Sequence, residues 1–514
     1  MFFKRVMFAS DPNGAGPGWL GARQRLRPVP IQTVIQRGGA TASKKPSRIP
    51  NHTDKPRPPR QRWGRIVGLV LIHLPLGIAM RHLPVLGSLH GLGVLLAGLI
   101  WVVRSRRPLN AALVVAYISG AELLWRISRG SITWEFGKEA VILICLTGIM
   151  RYPRVTGAGR LMGLYFLALL PALLLGDLSN FNVLKDNIAG NLLGPASLAI
   201  AGIYFSGLRI TLSEFKELLL AFLLPFCSVS ALLLFSTASA VNINFSDNSN
   251  FATSGGFGPV QVSSGLAAGC LLAYLFSRLP NLGRLTRLVA ILVGMLWLGQ
   301  TMLTFSRSGV YIFFGSVLPS IPFLMTEKLY RRRLLEAAVV YAVCVSIMVP
   351  FLLNFTGGAL KDRLSDTRTT GRADMALAEW GAFIGNPIIG LGLGGAGEIR
   401  SQVRGSETSS HTELTRLLVE HGLLGVFALL VLVGVPLAQL RRNRAPLARA
   451  LILSATIYSL LFMATCGMRL VVVSFIYGLT LMNWTPESVS YNRTLRRRPA
   501  FSSRRLSRPQ VSRP

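Results

Sequence analysis

Apolar runs of roughly bilayer-crossing length alternate with short polar turns along nearly the whole chain, and the turns are mostly basic. A crossing helix needs about 20 consecutive, predominantly apolar residues. The pattern predicts about 14 such segments, at 65–80, 84–103, 109–125, 135–150, 160–176, 187–207, 214–235, 263–277, 285–305, 309–326, 334–353, 422–440, 448–465 and 468–484. One stretch breaks the alternation, a polar island from Asn354 to His421. The expected fold class is an all-α polytopic membrane protein of about 14 transmembrane helices with one long extracytoplasmic helical loop. The expected organisation is a basic, disordered cytoplasmic tail (1–62), helices 1–11 (63–353), the loop (354–421), helices 12–14 (422–484) and a second basic tail (485–514).

Composition agrees with lipid as the solvent. Of the 514 residues 51% are hydrophobic and 15% charged, with a mean hydropathy of +0.48, whereas soluble domains carry roughly 25% charged residues. The formal net charge of +34 raises nucleic acid as a partner, but the distribution of that charge excludes it as a necessary reading. With the N-terminus in the cytoplasm, 41 of the 55 basic residues fall on the cytoplasmic side, and every short loop there is basic. That is the positive-inside pattern, with attraction to anionic lipid headgroups as a second consequence. An even number of crossings puts both tails inside and the 354–421 loop outside. The start, Met1–Ser10, lacks the apolar region of a signal peptide. The five cysteines lie in or at the ends of apolar runs, in no metal-ligand spacing, and read as packing residues. No metal site and no cofactor is predicted.

Within the island, Thr369–Trp380 is rich in helix formers, with a threonine as cap and Gly385-Asn386-Pro387 as terminator. Arg372, Ala376, Glu379 and Phe383 share one face by spacing, and Leu377, Trp380 and Ile384 share another. An arginine in the first turn opposes the helix dipole, so Arg372 reads either as a solvated surface residue or as one held by a phosphate or carboxylate. Gly392–Gly397 matches G-x-G-x-x-G but follows no strand, so it reads as a flexible turn rather than a dinucleotide fingerprint. Ser410-His411-Thr412-Glu413 opens a second helix whose inner stripe is Leu414, Leu417 and Leu418, with Ser410 and Glu413 in capping-box spacing. His411, first in that helix, is placed to act as a base or to donate to a phosphate oxygen, and His421 reads as a C-terminal cap. Outside the island, Arg307 in the tight turn Phe305–Gly309 lies close to lipid, where a charge is costly unless it is partnered or functional. Glu122, inside the third segment, has Arg126 one turn away as partner. The nearly uncharged loop 236–262 suits sugar hydroxyls, or any exposed loop.

The turn Ser306-Arg307-Ser308-Gly309, the pair Gly371-Arg372 with Trp380, the run Asn386-Pro387-Ile388-Ile389-Gly390-Leu391-Gly392, and the His411 helix ending in Glu420-His421-Gly422-Leu423-Leu424-Gly425 occur in that order. With Gly255–Pro259 and Gln261–Ser263, they make residues 250–430 resemble the O-antigen ligase and polymerase superfamily of bacterial membrane glycosyltransferases. Members commonly carry asparagine after the loop histidine; here it is Thr412. The resemblance implies a GT-C-like helical fold in the bacterial inner membrane. Its activity would be metal-independent, inverting transfer or polymerisation of an undecaprenyl-diphosphate-linked glycan onto a hydroxyl of an acceptor glycan or glycolipid, in surface polysaccharide biosynthesis. On this reading Arg307 and Arg372 bind the diphosphate, and His411, with Glu413 second, orients or deprotonates the acceptor. The competing class is a lipid-linked oligosaccharide flippase, whose usual internal repeat is not visible in this sequence; a scaffold would leave the loop's charged residues without purpose.

Overall fold

The computed structural model describes residues 63–130, 132–175, 180–246, 248–366, 371–404 and 412–485; at 63–66, 372 and 404 the description is of the backbone alone. The expected tails at 1–62 and beyond 485 therefore lie outside the described residues. Residues 1–68 and 69–514 form separate units. Of the first, only the start of a helix is described.

Helices dominate. They run α1 Trp63–His82, α2 Pro84–Arg104, α3 Leu109–Ile127, α4 Phe136–Arg151, α5 Gly157–Leu167, α6 Phe181–Asn187, α7 Leu193–Ser206, α8 Leu212–Ala238, α9 Pro259–Arg278 and α10 Arg284–Leu303. There follow α11 Arg307–Val317, α12 Ile321–Met325, α13 Lys328–Phe355, α14 Ala359–Ser365, α15 Arg372–Gly385, α16 Gly395–Arg404, α17 Glu413–Arg442, α18 Pro446–Cys466 and α19 Val472–Leu481. The one sheet among the described residues is a two-residue parallel pairing of Arg209–Ile210 with Asn483–Trp484. Ten helical segments among the described residues are long and apolar enough to cross a bilayer, which makes this a multi-pass membrane protein.

Each of the 14 apolar segments is helical, but four do not reach the length and apolarity of a full crossing. The first is short. The third and fourth carry Glu122, Arg126, Lys138 and Glu139. The last is ten residues, Val472–Leu481, where 17 were expected, because the chain turns at Cys466–Val471 and then pairs as a strand at Asn483. Others are interrupted: Gly157–Leu175 ends in a 3-10 turn, and Ile188–Leu192 is a π turn between α6 and α7. Glu413–Arg442 is two helices meeting at a non-helical Gly422 (φ 55°, ψ −131°), which is where the expected segment at 422 begins.

Polar contacts gather alternate connections at two ends. At one, Arg81 donates to Gly255 O, Asn250 N–H to Thr304 O and Arg363 to Phe305 O. Trp134 packs on Phe257, Arg126 donates to Arg469 O, and Leu393 N–H donates to Ala172 O. This is the end that carries α14–α16. At the other, Tyr152 donates to Ser105 O, Arg107 pairs with Glu214 and Glu217, and Thr156 bonds Ser206. There too Arg278 and Arg333 each donate to the other's carbonyl oxygen. Central helices such as α9 are buried along their whole length, whereas the apolar stretch of α13 is scarcely buried, as a lipid-facing helix must be.

Candidate functional site

The turn 304–309 is built before it is charged. Phe305 adopts φ 56°, a conformation that costs a non-glycine residue roughly 1 kcal/mol or more. It is held because its ring is buried, stacked on Phe245, and its carbonyl accepts from Arg363 Nε at 3.0 Å. Ser263 Oγ donates to Ser306 O (2.9 Å) and accepts from Gly309 N–H (3.0 Å). A Cβ on Gly309 would stand 2.3 Å from Ser263 O, so only glycine permits this approach of α11 to α9. Arg307, half-buried, is thereby fixed as the first residue of α11.

The island is docked onto the helices by its glycines, and the expectation of a flexible turn is corrected. Gly390, Gly392, Gly394 and Gly422 have φ of 77°, 81°, 94° and 55°. A Cβ on the first would meet Val419 O at 2.7 Å, on the second Leu175 at 2.7 Å, on the third Asn187 at 2.6 Å and on the last Ile388 O at 2.5 Å. Leu391 N–H donates to Val419 O, Gly392 N–H to Glu420 O, and Leu423 N–H to Ile388 O. The turn is a backbone-to-backbone clamp.

The helix at 372–385 occurs with the expected termini, but its cap is Gly371 in the left-handed region; the expected threonine lies outside the described residues. Glu379 is buried and pairs with Arg400 of α16 at 2.6 Å, while Thr412 and Thr415 donate to its second oxygen. The α17 start is likewise charged inside. Arg416 pairs with both Glu413 and Glu420 and donates to Asn191 O (3.0 Å), and Gly394 N–H donates to Glu420 (3.2 Å). The expected leucine stripe is thus only part of the inner face: Leu417 is buried, but so are Glu413, Arg416 and Glu420. His421 is no cap. It is buried at the bend, with no partner for either ring nitrogen among the described residues.

A third group closes the same end. Glu122 and Arg126 pair at 2.9 Å, both buried; Val471 N–H donates to Glu122 (2.6 Å), and Arg126 donates to Arg469 O (2.8 Å) while lying 4.6 Å over the Trp134 ring. Arg469 sits between α18 and α19. Burial draws its guanidinium below the ordinary range, and the neighbouring positive charges of Arg400 and Arg126 push the same way. Three arginines from three separated parts of the chain therefore share one electrostatic neighbourhood.

Of the residues singled out from sequence, Arg307 heads α11 and Glu413 heads α17, with both Glu413 oxygens engaged by Arg416. Arg372 heads α15, described in backbone only, and His411 lies outside the described residues, as does Ser410. The loop 236–262 uses part of its polarity internally: Asn250, Thr253 and Ser254 are buried and bonded to main chain. Arg400, Arg469 and the buried role of Glu379 were missed. Arg469 fell inside the expected segment at 468–484, where an arginine so near lipid carries the signal that marked Arg307. Comparisons of the chain with family models, with curated proteins and with solved structures return no match.

Proposed function

We propose that this multi-pass protein is a glycan transferase of the O-antigen ligase or polymerase type, acting on a diphosphate-linked lipid carrier at the end of the helices that carries α14–α16. The observation that carries the reading is the convergence of Arg126, Arg400 and Arg469 there, with Arg307 on a rigid turn at the same end. Arg126 is paired with Glu122 and Arg400 with Glu379, so what supports the reading is the gathering of charged groups in a partly buried place, and such costly placements concentrate at functional sites. The alternation of connections between two ends supports 14 crossings, with both termini and the basic turns in the cytoplasm and the island outside it.

Chemically, the acceptor hydroxyl attacks the anomeric carbon from the face opposite the carrier. The bond from that carbon to the phosphate oxygen breaks, and the configuration inverts. Charge develops on the departing diphosphate, where guanidinium donors are worth most because they are positioned before the reaction begins. Arg307, Arg372 and the Arg469 group are assigned to that oxygen cluster, and His411 to the proton of the acceptor hydroxyl, with Glu413 behind it as the counter-ion of Arg416.

The cellular test is alanine at Arg307, Arg372, Arg469 and His411 in turn, with surface-glycan length as readout. Shortened or absent polymer is expected; wild-type ladders from all four well-expressed variants would sink the assignment. Gene deletion separates the two branches: single repeats on the acceptor mean a lost polymerase, and accumulated carrier-linked polymer means a lost ligase.

A further inference from the structure

The amphipathic helix α15 is turned the wrong way for a loop in water. Its apolar side chains at i, i+3 and i+7 point out: Leu377 is 69% exposed, Trp380 49% and Ile384 58%. Its buried face carries Met375 and Glu379, the latter 1% exposed and clamped by Arg400, Thr412 and Thr415. The orientation is therefore not loose packing: a buried ion pair and two hydroxyl donors hold the polar side in and the apolar side out.

The exposed apolar surface does not stop at the end of the helix. After the cap at Asn386 it continues through Ile388 (68%) and Ile389 (63%). Ile388 O accepts from Leu423 N–H at 3.2 Å, which fastens this surface to the bend in α17. Immediately below the bend α17 exposes Leu423, Leu424, Phe427 and Leu430, along a segment apolar enough to cross a bilayer. One apolar surface thus runs up the outside of a membrane-crossing helix and onto α15. On the flank of the arc, Asp374 and the backbone at Gly381 are exposed.

We propose that α15 is an interfacial helix, with Leu377, Trp380 and Ile384 seated in the headgroup–acyl boundary of the same membrane that α17 crosses. The continuity of the surface selects lipid over a protein partner, because the α17 part of it faces lipid by necessity. A tryptophan in such an arc is the side chain preferred at that depth, with an apolar ring and an N–H that reaches water. Helices with one apolar face and a polar opposite face lie in this plane. The consequence is mechanical: the loop is tethered to the membrane surface at a fixed height, so its charged face addresses the helix ends. This inference is independent of the transferase reading.

The test uses the full chain in lipid nanodiscs. Trp380 or Ile384 is replaced by p-benzoylphenylalanine and irradiated, and the products are read by mass spectrometry. Lipid adducts on the 372–385 peptide are expected. In parallel, Leu377→Cys, Ile388→Cys and Asp374→Cys are labelled with a charged maleimide against the wild-type background, whose five cysteines are buried or half-buried. Labelling at 377 and 388 should be on the order of tenfold slower than at 374, and the difference should shrink in a small-micelle detergent. Chain–chain or chain–protein cross-links in place of lipid adducts, or equal labelling at the three positions in nanodiscs, would overturn the proposal. Substitutions at exposed positions leave the Glu379–Arg400 pair intact, and a monodisperse elution profile checks that each variant is folded.

Discussion

Removing Arg400 should cost the loop far more than removing both it and its partner. Glu379 and Arg400 are 2.6 Å apart with side chains 1% and 6% exposed, so neither charge has recourse to water. Breaking a buried pair from one side costs about 3–5 kcal/mol, because a charge is left desolvated, whereas replacing both partners by apolar groups is often close to neutral. Arg400→Leu leaves the carboxylate, among the described residues, with the Thr412 and Thr415 hydroxyls; Glu379→Leu removes the buried carboxylate from an Arg400 that lies in the neighbourhood of Arg469. Each single variant should open α15 and α16 locally, raising amide exchange over 372–404 by about two to three and a half orders of magnitude, at about 1.4 kcal/mol per tenfold. The double variant should recover most of that protection. Hydrogen exchange in nanodiscs reads the segment directly. Exchange within about tenfold of wild type in Arg400→Leu, or a double variant as exposed as the two singles combined, would refute the reasoning.

Three further outcomes follow from the packing. Gly422→Ala, at φ 55° with a Cβ 2.5 Å from Ile388 O, should destabilise the loop dock by about 3 kcal/mol or more, while Gly434→Ala, with nothing within 4 Å, should gain about 1 kcal/mol of helix propensity; thermal unfolding in detergent compares them. Arg126→Ala should cost about 3–5 kcal/mol, since Glu122 stays buried with only Val471 N–H as donor, and Glu122→Gln should cost less. Inorganic diphosphate should stabilise the wild-type protein by about 2.7 kcal/mol at a hundredfold excess over its dissociation constant, read as a raised unfolding temperature, and Arg469→Ala should abolish most of that shift.

The helical content was legible because lipid imposes it: a bilayer admits helices, and a run of apolar residues near 20 long marks each one. The C-terminus of α15 was legible too, since Gly385-Asn386 is a local signal, whereas its cap is Gly371 and not the expected threonine. Which face of α15 turns inward was not. The spacing separates Glu379 from Trp380 but does not say that Arg400, 21 residues away, buries the charged side. The Gly390–Gly397 turn looked flexible because glycine permits freedom; that the freedom is used for close backbone contact with Val419–Gly422 and Leu175 is a property of the packed molecule. Arg126 and Arg469 meet across 343 residues, and no periodicity reports that. The break at Gly422 was legible, since one helix was expected to end there and the next to begin, and α17 is two helices meeting at that glycine.

The central claim is that the arginine-rich end makes glycosidic bonds. The direct measurement is purified protein in liposomes, given a diphosphate-linked oligosaccharide carrier and an acceptor glycan, with new linkages counted by mass spectrometry. The account predicts inverted glycosidic products from wild-type protein, and a loss of roughly 10²–10³ in rate for Arg307→Ala and Arg469→Ala, the usual effect of removing one positioned donor. Movement of the labelled carrier across the bilayer with no new bond, or wild-type rates from both variants, would contradict it.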